Sequence, residues 1–169
     1  MQAEKLYVTI ISKLIDTDWH ETIHGGPSFF KDMEIFVDEI IFLIPELRGY
    51  SIEEIDNYVL SAVQYASENW CFIEKSFEPE LPQGIYNGIR LYKCSHTDIG
   101  NFYLIIAKSF FPVSFSISLP YGRYSRLSGE EHFAFYLTRD IEKAESEYKD
   151  MEDMTKDEER IIKEALAAR

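Results

Sequence analysis

The sequence predicts an α+β fold: N-terminal helices, an antiparallel β-meander sheet of four to five strands, and C-terminal helices. Three observations carry that expectation. Val113–Leu119 alternates apolar and hydroxyl residues without a break, the period-2 mark of a strand with one buried face and one wet face. Phe102–Ala107 is apolar on both parities, as a central strand covered on both sides would be. Ile85–Cys94 is rich in Ile, Leu and Tyr and runs into Ser95–Asn101, which has turn chemistry. Together they describe a three-strand meander that supplies the core.

Taken in order, Leu6, Tyr7, Ile10, Ile11, Leu14 and Ile15 recur at helical spacing and predict a first amphipathic helix. Gly25-Gly26-Pro27 breaks the chain, and Ser28 can cap a second helix whose apolar stripe is Phe29, Phe30, Met33, Phe36, Val37, Ile40 and Ile41. That helix should stop near Pro45. Ser51 with Glu54 forms a capping box for a third helix, which buries Ile52, Ile55, Val59, Ala62, Val63 and Ala66. Cys71–Phe77 reads as a weaker strand, followed by a loop over 78–84 that is too short to separate domains. After the meander, Ser128 with Glu131 offers another capping box, and 133–137 fits the start of a helix or a further strand by parity. Ile141, Ala144, Tyr148 and Met151 continue at helical spacing. Thr155 with Glu158 predicts the cap of a last helix bearing Ile161, Ile162, Ala165 and Leu166. Residues 1–169 are expected to form a single α+β domain.

With 46% hydrophobic and 15% aromatic residues, the chain can bury a sizeable core and is not disordered. Its two cysteines, Cys71 and Cys94, show no CxxC pattern and read as buried thiols. The N-terminal residues lack the charged start and apolar centre of a signal peptide, and no apolar run approaches the ~20 residues needed to span a bilayer. The expected compartment is the cytoplasm. The net charge of −13 is unevenly placed. From Asp16 to Glu80, fifteen acidic residues face only Lys31, Arg48 and Lys75, giving −12. From Leu81 to Leu119, Asp98 alone opposes Arg90, Lys93 and Lys108, giving +2. A field of that sign repels nucleic acid and anionic membranes and attracts basic partners.

One string carries metal chemistry. His20-Glu21-Thr22-Ile23-His24 matches HExxH. On a helix two histidines four apart face the same way and can bind zinc, and the intervening Glu can activate a metal-bound water. Over these five residues the chain resembles zinc metallopeptidases. The resemblance implies a small zinc hydrolase in which His20 and His24 are ligands, Glu21 is the base, and the third ligand comes from Glu39, Glu53 or Glu54. Outside that string no G-x-S-x-G, P-loop or G-x-G-x-x-G occurs.

The recognition surfaces lie elsewhere. Asp32, Glu34, Asp38, Glu39, Glu53, Glu54 and Asp56 punctuate the second and third helices, whose folding is already explained by stripes and caps, so their carboxylates suit a basic protein partner. A second candidate surface is the basic, aromatic loop bearing Tyr121, Arg123, Tyr124 and Arg126, residue types enriched at interface hot spots. Tyr86, Arg90 and Tyr92 on one strand, beside Ser114, Ser116 and Ser118 on another, form either a wet sheet face or a partner site. In size, charge and lack of catalytic signature the chain is similar to bacterial immunity proteins. That similarity implies a cytosolic inhibitor, without cofactor, that neutralises or escorts a basic partner such as a toxic nuclease. A chaperone of a secreted effector or a viral inhibitor of a host enzyme fits the same charge and size. Zinc enters only under the metallopeptidase alternative.

Overall fold

The computed structural model describes residues 2–16, 38, 41–42, 44–112 and 130–168. Helix α1, Gln2–Asp16, buries Ile10, Ile11, Leu14 and Ile15 along the stripe the sequence predicts. Asp38, Ile41 and Phe42 are helical, within the predicted second helix. The remainder of that helix, the predicted strand Val113–Leu119 and Ser128 lie outside the described residues, but the expected capping box of Ser128 with Glu131 is wrong, because Glu131 lies in a strand and no helix starts there.

Pro45–Leu47 is a single 3-10 turn with Pro at its start, where an α-helix cannot continue. Helix α2, Ile52–Asn69, begins on the predicted capping box: the Ser51 hydroxyl accepts from the Glu54 N–H at 3.2 Å, and the Glu54 carboxylate accepts from the Ser51 N–H at 3.1 Å. Its buried residues are Ile55, Val59, Ala62, Val63 and Ala66.

Four strands follow, β1 (Cys71–Phe77), β2 (Tyr86–His96), β3 (Gly100–Phe111) and β4 (Glu130–Thr138), paired as an antiparallel meander in chain order. Each β2–β3 pair lies opposite in register, with Tyr92 on Leu104, Arg90 on Ile106 and Leu91 on Ile105. Because side chains alternate, Tyr92, Cys94, Phe102, Leu104, Ile106, Phe135 and Leu137 share the face packed on α1 and α2. Ile89, Leu91, Ile105, Ala107, Ala134 and Tyr136 share the other. β3 is therefore buried on both sides, as its double-parity composition predicts. The β2–β3 turn uses the expected chemistry: the Ile99 N–H donates to the His96 carbonyl at 3.1 Å, and Gly100 takes a φ of 90°. β4 settles the ambiguous 133–137 stretch as strand, because Phe135 fills one core while Ala134 and Tyr136 fill the other.

At the edge of this sheet β1 carries a register shift between Ile73 and Lys75, and Phe72 and Ile73 stand 65% and 48% exposed.

Helix α3, Ile141–Ala167, covers the second face with Ala144, Tyr148 and Met151. Asp140 caps it, accepting from the Glu142 and Lys143 N–H groups at 2.9 and 3.4 Å. The expected second cap at Thr155 is wrong. The helix runs through it unbroken, the Thr155 hydroxyl donates back to the Met151 carbonyl at 2.7 Å, and Glu158 is buried against the sheet. The expectation of buried thiols is likewise corrected. Cys71 and Cys94 face each other across β1 and β2 with Cα atoms 4.0 Å apart and form a disulfide. Among the described residues no helix is long and apolar enough to cross a membrane.

Candidate functional site

The predicted partner-binding carboxylates divide between what the structure describes and what it does not. Asp38, Glu53 and Glu54 are exposed, and Asp56 follows them in the first turns of α2. Glu54 also has a structural duty, since its carboxylate closes the capping box. Asp32, Glu34 and Glu39, the His20–His24 string, and Tyr121, Arg123, Tyr124 and Arg126 lie outside the described residues. Among the described residues no three His, Cys, Asp or Glu side chains are grouped so as to hold a metal ion.

Two arrangements emerge from the folded chain. The first is a cleft of about 190 Å³ on the α1–α2 face of the sheet, lined by Tyr86, Gly88, Arg90, Tyr92, Ile106 and Lys108. The alternate residues of β2 supply Tyr86, Gly88, Arg90 and Tyr92, while Ile106 and Lys108 come from the opposing positions of β3. Glu78, just past β1, accepts from the Tyr86 hydroxyl at 2.9 Å and pairs with the Arg90 Nε. Arg90 in turn donates to the Tyr92 hydroxyl at 3.2 Å. Gly88 makes room for this chain of bonds, because a Cβ there would sit 2.8 Å from the Tyr86 hydroxyl and 3.0 Å from the Glu78 Cγ. The Lys108 ammonium lies 5.7 Å from the centroid of the Phe133 ring.

The electrostatics of this network fix its protonation. Burial and the bond to Glu78 push the Tyr86 hydroxyl up to about 12. Burial also pushes the Glu78 carboxyl upward, but the bonds from Arg90 and Tyr86 outweigh it and hold that group below its ordinary value. Arg90, bonded to Glu78 and Tyr92, is held firmly protonated. None of these three groups exchanges a proton near neutral pH, so together they form a fixed polar lattice suited to holding shape.

The second arrangement is a strip of half-exposed rings along α1 and α2. Tyr50 and Tyr58 pack edge to face, with centroids 5.2 Å apart. Tyr7 and Tyr65 are 5.3 Å apart, Tyr65 and Trp70 5.6 Å, and Trp70 and His96 4.5 Å. Tyr58 and Tyr65 lie seven residues apart on α2, two turns along one side of the helix. Tyr58 is pushed above its ordinary value first by its hydrogen bond with Tyr50, then by the charge of that neighbour, by burial and by the charges of Glu54 and Tyr7. Tyr65 is pushed up by burial and then by the charge of Glu4 and a hydrogen bond to it. At its far end the strip meets the sheet: Trp70 caps α2, and its carbonyl accepts from the Ser95 N–H at 3.0 Å beside the disulfide.

The sequence does signal this strip. Tyr50, Tyr58 and Tyr65 recur at intervals of eight and seven, the return period of one helix side. The third helix's stripe and capping box account for it without Tyr58 and Tyr65, and Tyr7 counts only as part of the first helix's apolar stripe, which is why the pattern is missed.

No family model, curated protein or solved structure matches the chain.

Proposed function

We propose that the chain is a binding protein whose acidic region over Asp32–Asp56, ending in the first turns of α2, engages a basic partner protein. The observation that carries this reading is the segregation of charge: fifteen acidic against three basic residues between Asp16 and Glu80, in a chain whose meander region is mildly positive. Where that acidic region is described, Asp38, Glu46, Glu53, Glu54, Glu68, Glu74 and Glu80 are all exposed. An anionic face of this kind accelerates encounter with a cationic one and excludes nucleic acid. A nuclease fits as partner, because the basic surface that grips a phosphate backbone is the surface such a face would cover. Inhibition or escort of a toxic enzyme is the finer form of the proposal, with the cytoplasm as the compartment in which a host would need that protection.

The test is the rate of association with a basic partner co-purified from the native host. Reversing Asp38, Glu39, Glu53 and Asp56 to Lys should slow association at least severalfold and steepen neither unfolding nor the melting curve. Reversing Glu152, Asp153 and Asp157 should do much less. The parent's rate should fall as salt rises, because the screening length drops from ~10 Å at 0.1 M to ~3 Å at 1 M. Equal losses from both sets would reduce the site to diffuse charge, and no loss from either would refute the acidic interface.

A further inference from the structure

We propose that the tyrosine strip of α1 and α2 is an arginine-holding slot, in which guanidinium groups of the basic partner stack on Tyr58 and Tyr65 and fork onto the neighbouring carboxylates. This rests on the basic-partner reading and adds to it a chemistry and a place. Charge alone attracts any cation and fixes none. The strip supplies what attraction lacks: ring faces, with an acid beside each ring.

Glu54 precedes Tyr58 by one turn on the same side of α2, and Glu4 precedes Tyr7 by one turn on α1, where the Tyr7 ring lies 5.3 Å from that of Tyr65. A guanidinium lying over either phenol can therefore satisfy its planar donors on a carboxylate while its face stacks on the ring, a combination that lysine's point charge reproduces poorly. The two ring positions are separated by two turns of α2, about 10 Å, so two arginines at that spacing can be held at once. Tyr50 is 41% exposed and braces Tyr58 edge-on, and Tyr7 braces Tyr65 from α1. The bracing rings restrict how Tyr58 and Tyr65 can turn before any partner arrives, which lowers the ordering cost of binding. Sugar rings also stack on tyrosine, but they favour flat platforms. Here the paired rings are inclined at 75° and 45°, and acids stand beside them.

The experiment titrates the full chain with a fluorescently labelled hexa-arginine peptide at 0.15 M salt, alongside hexa-lysine and a neutral oligosaccharide. The parent should bind hexa-arginine severalfold more tightly than hexa-lysine and should not bind the sugar. Tyr58→Leu with Tyr65→Leu, which removes both ring faces and keeps apolar bulk, should weaken hexa-arginine about fivefold or more, since each exposed cation–π contact is worth roughly two- to fivefold. The slope against salt should stay unchanged. Tyr58→Phe with Tyr65→Phe should restore most of the affinity, and Tyr50→Ser, at an exposed position, gives a second reading should the Leu variant fold poorly. Unchanged affinity in the Leu and Tyr50→Ser variants, with loss on reversing Glu53 and Asp56, would overturn the slot and leave the acidic-face reading intact. Loss in neither set would overturn both. Binding of the oligosaccharide in place of hexa-arginine would overturn the arginine assignment and make the strip a glycan surface.

Discussion

Helix α2 has four acidic residues and no basic one, whereas α3 sets ten acidic against five basic. Both helices bury an apolar stripe on the sheet, one on each face. On α3 the charges answer each other along the helix: Glu152 with Lys156 at 3.2 Å, Asp157 with Arg160 at 2.6 Å, Arg160 with Glu164 at 3.2 Å and Glu159 with Lys163 at 2.9 Å. These rungs are spaced three or four residues apart, and as exposed helical pairs they stabilise the helix only slightly. On α2, Glu54 serves the cap, and the helix itself supplies no cation to any of its acids. At least four of the ten α3 acids thus find a cation within their own helix, as a solvated face does. None of the α2 acids can, so they are left to solvent, to another element of the chain or to another molecule, and this difference separates the two surfaces.

The comparison can be broken or sharpened by asking what anchors each helix. The largest effect is expected on the α2 side, where the disulfide ties the strand that follows α2 into the sheet. Replacing Cys71 and Cys94 together by Ala should cost about 3 kcal/mol, as expected for closing a loop of this length. Urea titration of parent and variant measures it, and the same loss should appear when the parent is reduced. An unchanged midpoint would show that packing of Trp70 on His96 suffices to hold this corner.

The next effect falls on the α3 side. Asn87 is buried, and its side-chain amide donates to the Glu158 carboxylate at 3.3 Å, where α3 crosses β2. Asn87→Leu removes a donor from a buried carboxylate and should cost about 1–3 kcal/mol. Glu158→Gln combined with it should recover part of the loss, because a neutral amide is cheaper to bury than a charge. If the double variant proved less stable than Asn87→Leu alone, the bond to Asn87 would not be what secures Glu158.

The smallest effect is one of pH. Glu78 is held below its ordinary value in the folded chain, so its contribution is complete above the unfolded value of about 4.3 and is lost as pH falls through the lower folded value. Glu78→Gln should flatten the acid limb of stability against pH below about 4 and change little at pH 7 beyond the lost ion pair. Melting temperatures from pH 2.5 to 7 read this directly. An unchanged acid limb would assign it to other carboxylates.

The sequence shows much of the architecture and little of the site, for physical reasons that differ by element. β2 and β3 are readable because their side-chain parity is set by burial, and burial is written in composition. β1 matches its expected Cys71–Phe77 bounds although five of its seven residues are exposed. Its β-forming composition and flanking loop were enough. Thr155 with Glu158 fails because the S/T-x-x-E pattern is the same at a helix start and inside a helix. Only the burial of Glu158 beside Asn87 distinguishes them, and that is a long-range contact. The disulfide fails likewise, since a separation of 23 residues does not reveal that two strands place the cysteines opposite each other. At the site, Glu53 and Glu54 were legible as exposed acids of a capped helix. The ring pairing of Tyr7 with Tyr65 required α1 to dock on α2, which no single-helix pattern contains.

The register shift between Ile73 and Lys75 has a bearing on how the protein behaves in crowded solution. Among the described strands β1 lies at the margin of the sheet and carries two exposed apolar side chains, Phe72 and Ile73, the ingredients of a template for strand-on-strand stacking. Propagation of such a stack needs an uninterrupted ladder of at least several residues in one register. Here the ladder is offset directly after the apolar pair, and the next two residues are Glu74 and Lys75, whose charges would each meet their own copy in any in-register fibril. The strand can present its apolar pair to a single visitor, yet the offset hinders it from passing its register to the next copy in line.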